Sequence, residues 1–228
     1  MALPLINTPK YEVTLPVSGK KVEFRPFLVK EEKVMLAALQ DNNDRTTFNA
    51  IKDLVNVCTF EKIDITKIAQ ADAEYLFMMI RNKSMGEGVE VIGQCTHCGA
   101  KTELELDLSE IVVEGGETNK DGKIVLSDDC TIVMHHPSIE LYFSENAAEN
   151  LVAKSIDFIQ IKEKLYDAKD LKLEEIQAFI DNLTKPQEAL IEEFLQSAPV
   201  LTYRKEFQCI SCGEANKIEL KGIGDFFG

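Results

Sequence analysis

Two copies of one short module, far apart in the chain, constrain this sequence more than anything else in it. Cys95-Thr96-His97-Cys98-Gly99 and Cys209-Ile210-Ser211-Cys212-Gly213 each place two cysteines two residues apart and follow the second with glycine. Each module sits between stretches that read as β-strand. Val89 to Ile92 precedes the first and Lys101 to Leu108 follows it, while Tyr203 to Gln208 precedes the second and Asn216 to Leu220 follows it. A cysteine pair on a tight turn supplies half of a tetrahedral thiolate site, and glycine lets the turn close at positive φ. Two halves make a four-cysteine site. Cys95, Cys98, Cys209 and Cys212 are therefore the expected ligands of one structural zinc ion per chain. Such an ion ties residue 95 to residue 212 and decides the architecture of everything between them.

Other readings of the cysteines compete. A thioredoxin-like redox pair needs a helix whose N-terminus faces the first thiolate, whereas strand-like sequence follows both pairs here. Two separate disulfides imply a secreted chain. Residues 1–16 lack a basic segment followed by a continuous apolar one, so no signal peptide is expected, and no apolar run approaches a membrane span. The expected compartment is a reducing cytoplasm, where reduced cysteines without metal are the remaining alternative. A catalytic zinc is disfavoured, because four thiolates leave no open position for substrate. His97 lies inside the first knuckle and is a conceivable replacement ligand, but a place beside or outside the site suits it better.

Charge narrows the partners. The 228 residues carry 39 acidic and 25 basic side chains, a net charge of −14. A phosphate backbone is repelled on average by such a surface. Only Lys101 lies close to the first knuckle, and no aromatic alternates with basic residues as a base-stacking platform requires. Nucleic acid and membrane are thus not expected partners, and a protein partner is.

The rest of the chain gives the order of elements. Residues 11–27 alternate as a β-hairpin around Ser18-Gly19-Lys20. A helix is expected over 30–40, and a second after an N-cap at Asp44, with Phe48, Ile51, Val55 and Cys58 on one face. A third helix spans 66–83, where Ala73, Leu76, Phe77 and Ile80 form the inward stripe. Ser84 to Gly88 breaks it before the first knuckle. Strands follow over 101–107, 111–113 and 123–126. Between them, Glu117, Asn119, Asp121, Gly122 and Asp128 echo a calcium loop, but flanking strands and a missing final glutamate argue for a turn. Cys130, Ile132 and Met134 share a strand face. His135 and His136 are neighbours, so on a strand they point apart and cannot chelate together. From 139 to 198 helices are expected, over 139–148, 151–166, 173–183 and from a Thr184/Gln187 capping box onward, with Leu190, Ile191, Phe194 and Leu195 inward.

This order predicts an α+β fold: an N-terminal β-hairpin, helical segments, and two C-x-x-C β-hairpins joined as a split zinc ribbon with a helical insertion. The expected division is 1–88, hairpin plus helical region, and 89–228, the split zinc-ribbon region with its insertion over 139–198. No nucleophile elbow, P-loop or dinucleotide turn occurs, and three histidines offer little acid–base chemistry. An enzyme is not expected.

The layout of motifs resembles a known family. Phe24-Arg25-Pro26-Phe27 leads into a helix, and the segment from Glu74 to Glu87, ending Arg81-Asn-Lys-Ser-Met-Gly-Glu87, runs straight into the first knuckle. A helical region and the second knuckle follow, and the chain ends Gly224-Asp-Phe-Phe227. In these features it resembles the baseplate hub assembly proteins and hub subunits of T-even-type contractile-tailed bacteriophages. The resemblance implies a non-enzymatic role in building the hub, partners among hub and tail proteins, and a place in the host cytoplasm during assembly or in the tail baseplate of the virion. The alternative function is a zinc-ribbon module of the transcription or replication machinery. Phe226 and Phe227 are the candidate partner-binding residues, because aromatic anchors dominate interface energies. The competing role for them is folding back onto the domain.

Overall fold

The computed structural model describes residues 7–41, 43–116, 121–142, 147–222 and 225. The elements in chain order are β1 (Tyr11–Thr14), β2 (Lys21–Phe24), α1 (Val29–Gln40), α2 (Asp44–Cys58), a 3-10 turn (Ile65–Lys67), α3 (Gln70–Met85), β3 (Gly88–Gln94), β4 (Lys101–Asp107), β5 (Val112–Glu114), β6 (Lys123–Ser127), β7 (Cys130–Met134), α4 (Ile139–Tyr142), α5 (Ala147–Lys154), β8 (Ile156–Ile161), β9 (Lys164–Asp167), α6 (Leu173–Asp181), α7 (Lys185–Gln196), β10 (Val200–Gln208) and β11 (Ala215–Lys221). The chain is thus a mixture of helices and β-hairpins. It divides into two compact units, one of residues 1–65, 71–114 and 200–228 and the other of residues 66–70 and 115–199.

In the first unit α3 is the central element. Leu76, Phe77, Met78 and Ile80 are fully buried, and so are the polar residues Asp72 and Asn82, which places protein on nearly every side of the helix. Each buried polar group therefore needs a partner. Asp72 accepts from the amides of Val17 (2.8 Å) and Ser18 (3.0 Å), clamping the turn of the β1–β2 hairpin. Ser84 Oγ donates to the Ile80 carbonyl and accepts from the Phe27 amide at 2.9 Å. Asn82 Nδ2 donates to the Leu108 carbonyl, just beyond β4. Arg25 forms a two-pronged pair with Glu31 (2.8 and 2.9 Å), while the same carboxylate caps α1 by accepting from the Leu28 amide at 2.7 Å. The N-cap of α2 is Asn43, whose side chain accepts from the Thr46 amide, in place of the expected Asp44. Asp44 is instead the first helical residue.

The second unit differs from the expected all-helical insertion. Residues 151–166 are helix only as far as Lys154, and then form the β8–β9 hairpin. Together with β6 and β7 this makes a four-stranded antiparallel sheet in the order β6-β7-β8-β9. Ile156 and Ile159 stand at a spacing that also fits a helix face, but Ile156-Asp-Phe-Ile-Gln-Ile161 is rich in β-branched and aromatic residues that favour a pleated surface. Register pairs Ile124, Ile132, Ile159 and Tyr166 across the four strands. Ile124, Ile132 and Ile159 join a core completed by Ile176 of α6 and Ile191 and Phe194 of α7. The capping box at α7 forms, since the Thr184 amide and hydroxyl both donate to Gln187 Oε1. Gln187 Nε2 then donates to the Leu126 carbonyl, fastening α7 to β6. Leu190, expected inward, is 40% exposed. Cys58 is buried and Cys130 packs partly against the second core, as small hydrophobes.

Candidate metal centre

Each knuckle is the turn of an antiparallel hairpin. Gln94 of β3 faces Lys101 of β4, and Gln208 of β10 faces Ala215 of β11. The backbone repeats almost atom for atom. Cys95 N donates to Ala100 O at 2.9 Å and Gly99 N to Cys95 O at 3.0 Å, while Cys209 N donates to Glu214 O and Gly213 N to Cys209 O, both at 2.9 Å. Gly99 and Gly213 have φ of 73° and 74°, the left-handed conformation that favours glycine.

The two hairpins bring the four thiols together. Cys95 Sγ lies 3.7 Å from Cys212 Sγ, Cys98 Sγ lies 3.6 Å from Cys209 Sγ, and all four sulfurs are within 4.8 Å of one another. A disulfide needs about 2.0 Å. Four thiolates at about 2.3 Å from one ion stand about 3.8 Å apart at the edges of a tetrahedron. The separations match the second geometry, so the cluster can hold a metal ion. His97 is exposed and is not among the side chains gathered there.

Two residues that sequence reasoning passed over lock the halves together. Asn216 of β11 is buried. Its Oδ1 accepts from the amide and the hydroxyl of Thr96, both at 3.0 Å, and its Nδ2 reaches Cys95 Sγ at 3.4 Å and Glu214 O at 2.9 Å. Thr102 of β4 makes the reciprocal contact, its Oγ1 accepting from the Ile210 amide at 3.5 Å. In each hairpin the partner stands four residues after the second cysteine and meets the residue after the first cysteine of the other hairpin. The site thus has a local two-fold relation. Gly93 and Phe207, each two residues before a first cysteine, complete it: a Cβ on Gly93 would lie 2.8 Å from the Phe207 ring. Aligning the two modules shows a polar residue at the same offset in both, and that is the signal by which Thr102 and Asn216 could have been found.

The surroundings favour thiolate at the buried positions. The Cys98 amide brings the Cys95 thiol down to about 6, against the opposing effect of burial and with help from the His97 amide and Asn216. Cys209 is lowered by the Cys212 amide and then the Ser211 amide. Cys212 is pushed up to about 12: the Glu214 amide opposes this, but burial and the neighbouring Cys98, Cys209 and Cys95 outweigh it. Four thiolates this close repel one another, and a divalent cation relieves that repulsion.

The segments behind the family resemblance also meet. Phe27 of the Arg-Pro-Phe segment bonds to Ser84, and Arg81 donates to the Gly86 carbonyl at 2.7 Å. These residues carry chain from the N-terminal hairpin through α3 to the first knuckle, so their chemistry is structural. The T4 bacteriophage base plate protein family matches residues 8–228. The chain belongs to that family. No curated protein and no solved structure shows a significant match. Among the described residues no helix is long and apolar enough to cross a membrane. Phe226 and Phe227 lie outside the described residues, as do Glu117 and Asn119 of the acidic loop.

Proposed function

We propose that this base plate family member is a non-enzymatic structural or assembly protein of the baseplate hub, binding other hub or tail-tube proteins, and that Cys95, Cys98, Cys209 and Cys212 hold one structural zinc ion. For the first part, the family match over residues 8–228 supports a structural role in the tail baseplate, and the motif layout that resembles hub proteins is the reason for narrowing it to the hub. The near-tetrahedral spacing of four thiols from two hairpins supports the second. All-thiolate shells of this shape select zinc or iron, and a closed shell performs no chemistry on a substrate. Zinc bound here ties β3–β4 to β10–β11 and makes a rigid end to the first unit. Elemental analysis of protein purified without added metal is expected to give about one zinc per chain, with sulfur at about 2.3 Å by X-ray absorption. Folded protein with no metal would sink the zinc assignment. Affinity purification from infected cells with mass spectrometry is expected to recover tail or hub proteins. Recovery of polymerase subunits in their place would overturn the hub assignment.

A further inference from the structure

The first unit carries an open groove of about 600 Å³ between α1 and α2. Its floor is small and apolar, made by Val34, Ala37 and Ala38 of α1 and Ala50 of α2. Among the described residues, Gln40 and Thr46 also line it, Asp41 and Asp53 are its ionisable lining residues, and neither of these two takes part in an ion pair. The nearby Arg45 guanidinium lies over the Phe48 ring at 5.8 Å. Val34, in the groove itself, is 64% exposed, and elsewhere on α1 Val29 and Leu36 are exposed as well. Of its 12 residues only Met35 and Ala38 are buried. A helix this poorly covered exposes more apolar surface than a solvated face needs.

We propose that this groove is a docking site for an amphipathic α-helix of another protein, one with bulky apolar anchors flanked by lysine or arginine. Three observations select that occupant. Both walls are helices, so no free strand edge exists there for an extended peptide to pair with. The incoming segment must satisfy its own backbone hydrogen bonds, as a helix does. The alanine floor lets a helix approach within the 8–10 Å interaxial distance of close packing, and bulky side chains of the partner fill the space the alanines leave. The two unpaired carboxylates, on a chain of net charge −14, attract cationic flanks and repel phosphate. The site gives the proposed structural role a surface of contact. It does not involve the cysteines, so the two can fail separately.

The test uses the full-length protein and three synthetic 15-residue peptides. One has leucine at positions i, i+3, i+4 and i+7 with lysine elsewhere, one has glutamate in place of lysine, and one has serine in place of leucine. Calorimetry and amide chemical-shift mapping are expected to show saturable binding of the leucine–lysine peptide alone, with shifts centred on Val34, Ala37 and Ala50. Asp41→Lys with Asp53→Lys is expected to weaken binding at least tenfold. Ala37→Tyr, which blocks the floor and keeps the charge, is expected to abolish it. Both variants change exposed side chains, and unaltered thermal melts confirm their folding. Equal binding of the leucine–glutamate or serine–lysine peptide, or binding that survives Ala37→Tyr, overturns the proposal. A dimer in sedimentation that Ala37→Tyr dissolves also overturns it, by assigning the groove to a second copy of this chain.

Discussion

Asn216 shows how one side chain can serve both halves of a split site. Its four polar contacts satisfy the Thr96 amide and steady the Cys95 sulfur from the opposite hairpin. Asn216→Ala removes the partner of the part-buried Thr96 amide, at about 1 kcal/mol, and such supporting residues change metal affinity about 10–100-fold when removed. The expected result is a faster loss of metal to a chromophoric chelator with a smaller fall in melting temperature. Gly93→Ala acts through sterics, driving a methyl into Phe207 and Leu104, and overpacking of this kind costs about 1–3 kcal/mol. Phe207→Leu in the same chain should recover part of it, a rescue that chemical denaturation can measure. The Arg25–Glu31 pair gives a pH signature. Its side chains are only 12% exposed, and the Arg25 guanidinium holds the Glu31 carboxyl below its ordinary range. A carboxylate lowered by folding contributes stability in full above its unfolded pKa, and loses it as pH falls through the folded value. Glu31→Gln is therefore expected to destabilise by about 2–3 kcal/mol at neutral pH. The gap from wild type should narrow below the ordinary glutamate range. A gap constant from pH 7 to pH 3 would contradict the assignment.

At the scale of elements, legibility followed how many independent signals agreed. Helix α7 announced itself by Thr184 and Gln187 at its start and an apolar stripe behind them, and the capping box is present. Both knuckles could be read because cysteine spacing, glycine and flanking alternation coincide. The β8–β9 hairpin carried conflicting signals. Ile156 and Ile159 fit a helical stripe, and the turn holds Lys162 at φ 54° where a glycine or asparagine would have marked it. What resolves the conflict is tertiary: β8 fills the space beside β7, and the Lys162 amide finds the Asp129 carbonyl at 2.7 Å. Such a partner, 33 residues away, leaves no local trace. The groove between α1 and α2 was equally invisible, since alanines mark a floor only once two helices are placed together. Ile159→Ala tests the strand assignment. At the centre of β8, paired with Ile132 and Tyr166, it is expected to cost about 2–4 kcal/mol by urea denaturation. A loss below 1 kcal/mol would mean that Ile159 faces solvent.

For the whole molecule, the decisive feature is where the second unit leaves and rejoins the chain. Glu114 at the end of β5 is the register partner of Val200 at the start of β10. Arg204 of β10 also pairs with Glu114, and with Glu219 of β11 at 2.8 Å. The insertion is therefore closed at its base by a short ladder and an ion-pair cluster, and the thiols close the far end of the same hairpins. Metal loss should accordingly act on one end only. Cys209→Ser is expected to raise amide exchange along β3–β4 and the outer half of β10–β11, while α3 and the β6–β9 sheet keep their protection. The stronger test removes residues 115–199 altogether. Partners in an antiparallel register can be joined by a two-residue turn, so Asn-Gly between Glu114 and Val200 makes an ordinary hairpin of β5 and β10. The shortened chain retains every cysteine of the cluster, the α3 core and both clamped segments at Asp72 and Ser84. It is expected to fold, to bind about one zinc per chain as the closed four-thiolate site requires, and to lose protection mainly at residues 66–70, which group with the removed unit. An unfolded product, or a folded one that no longer binds metal, would show that the insertion helps to assemble the cluster.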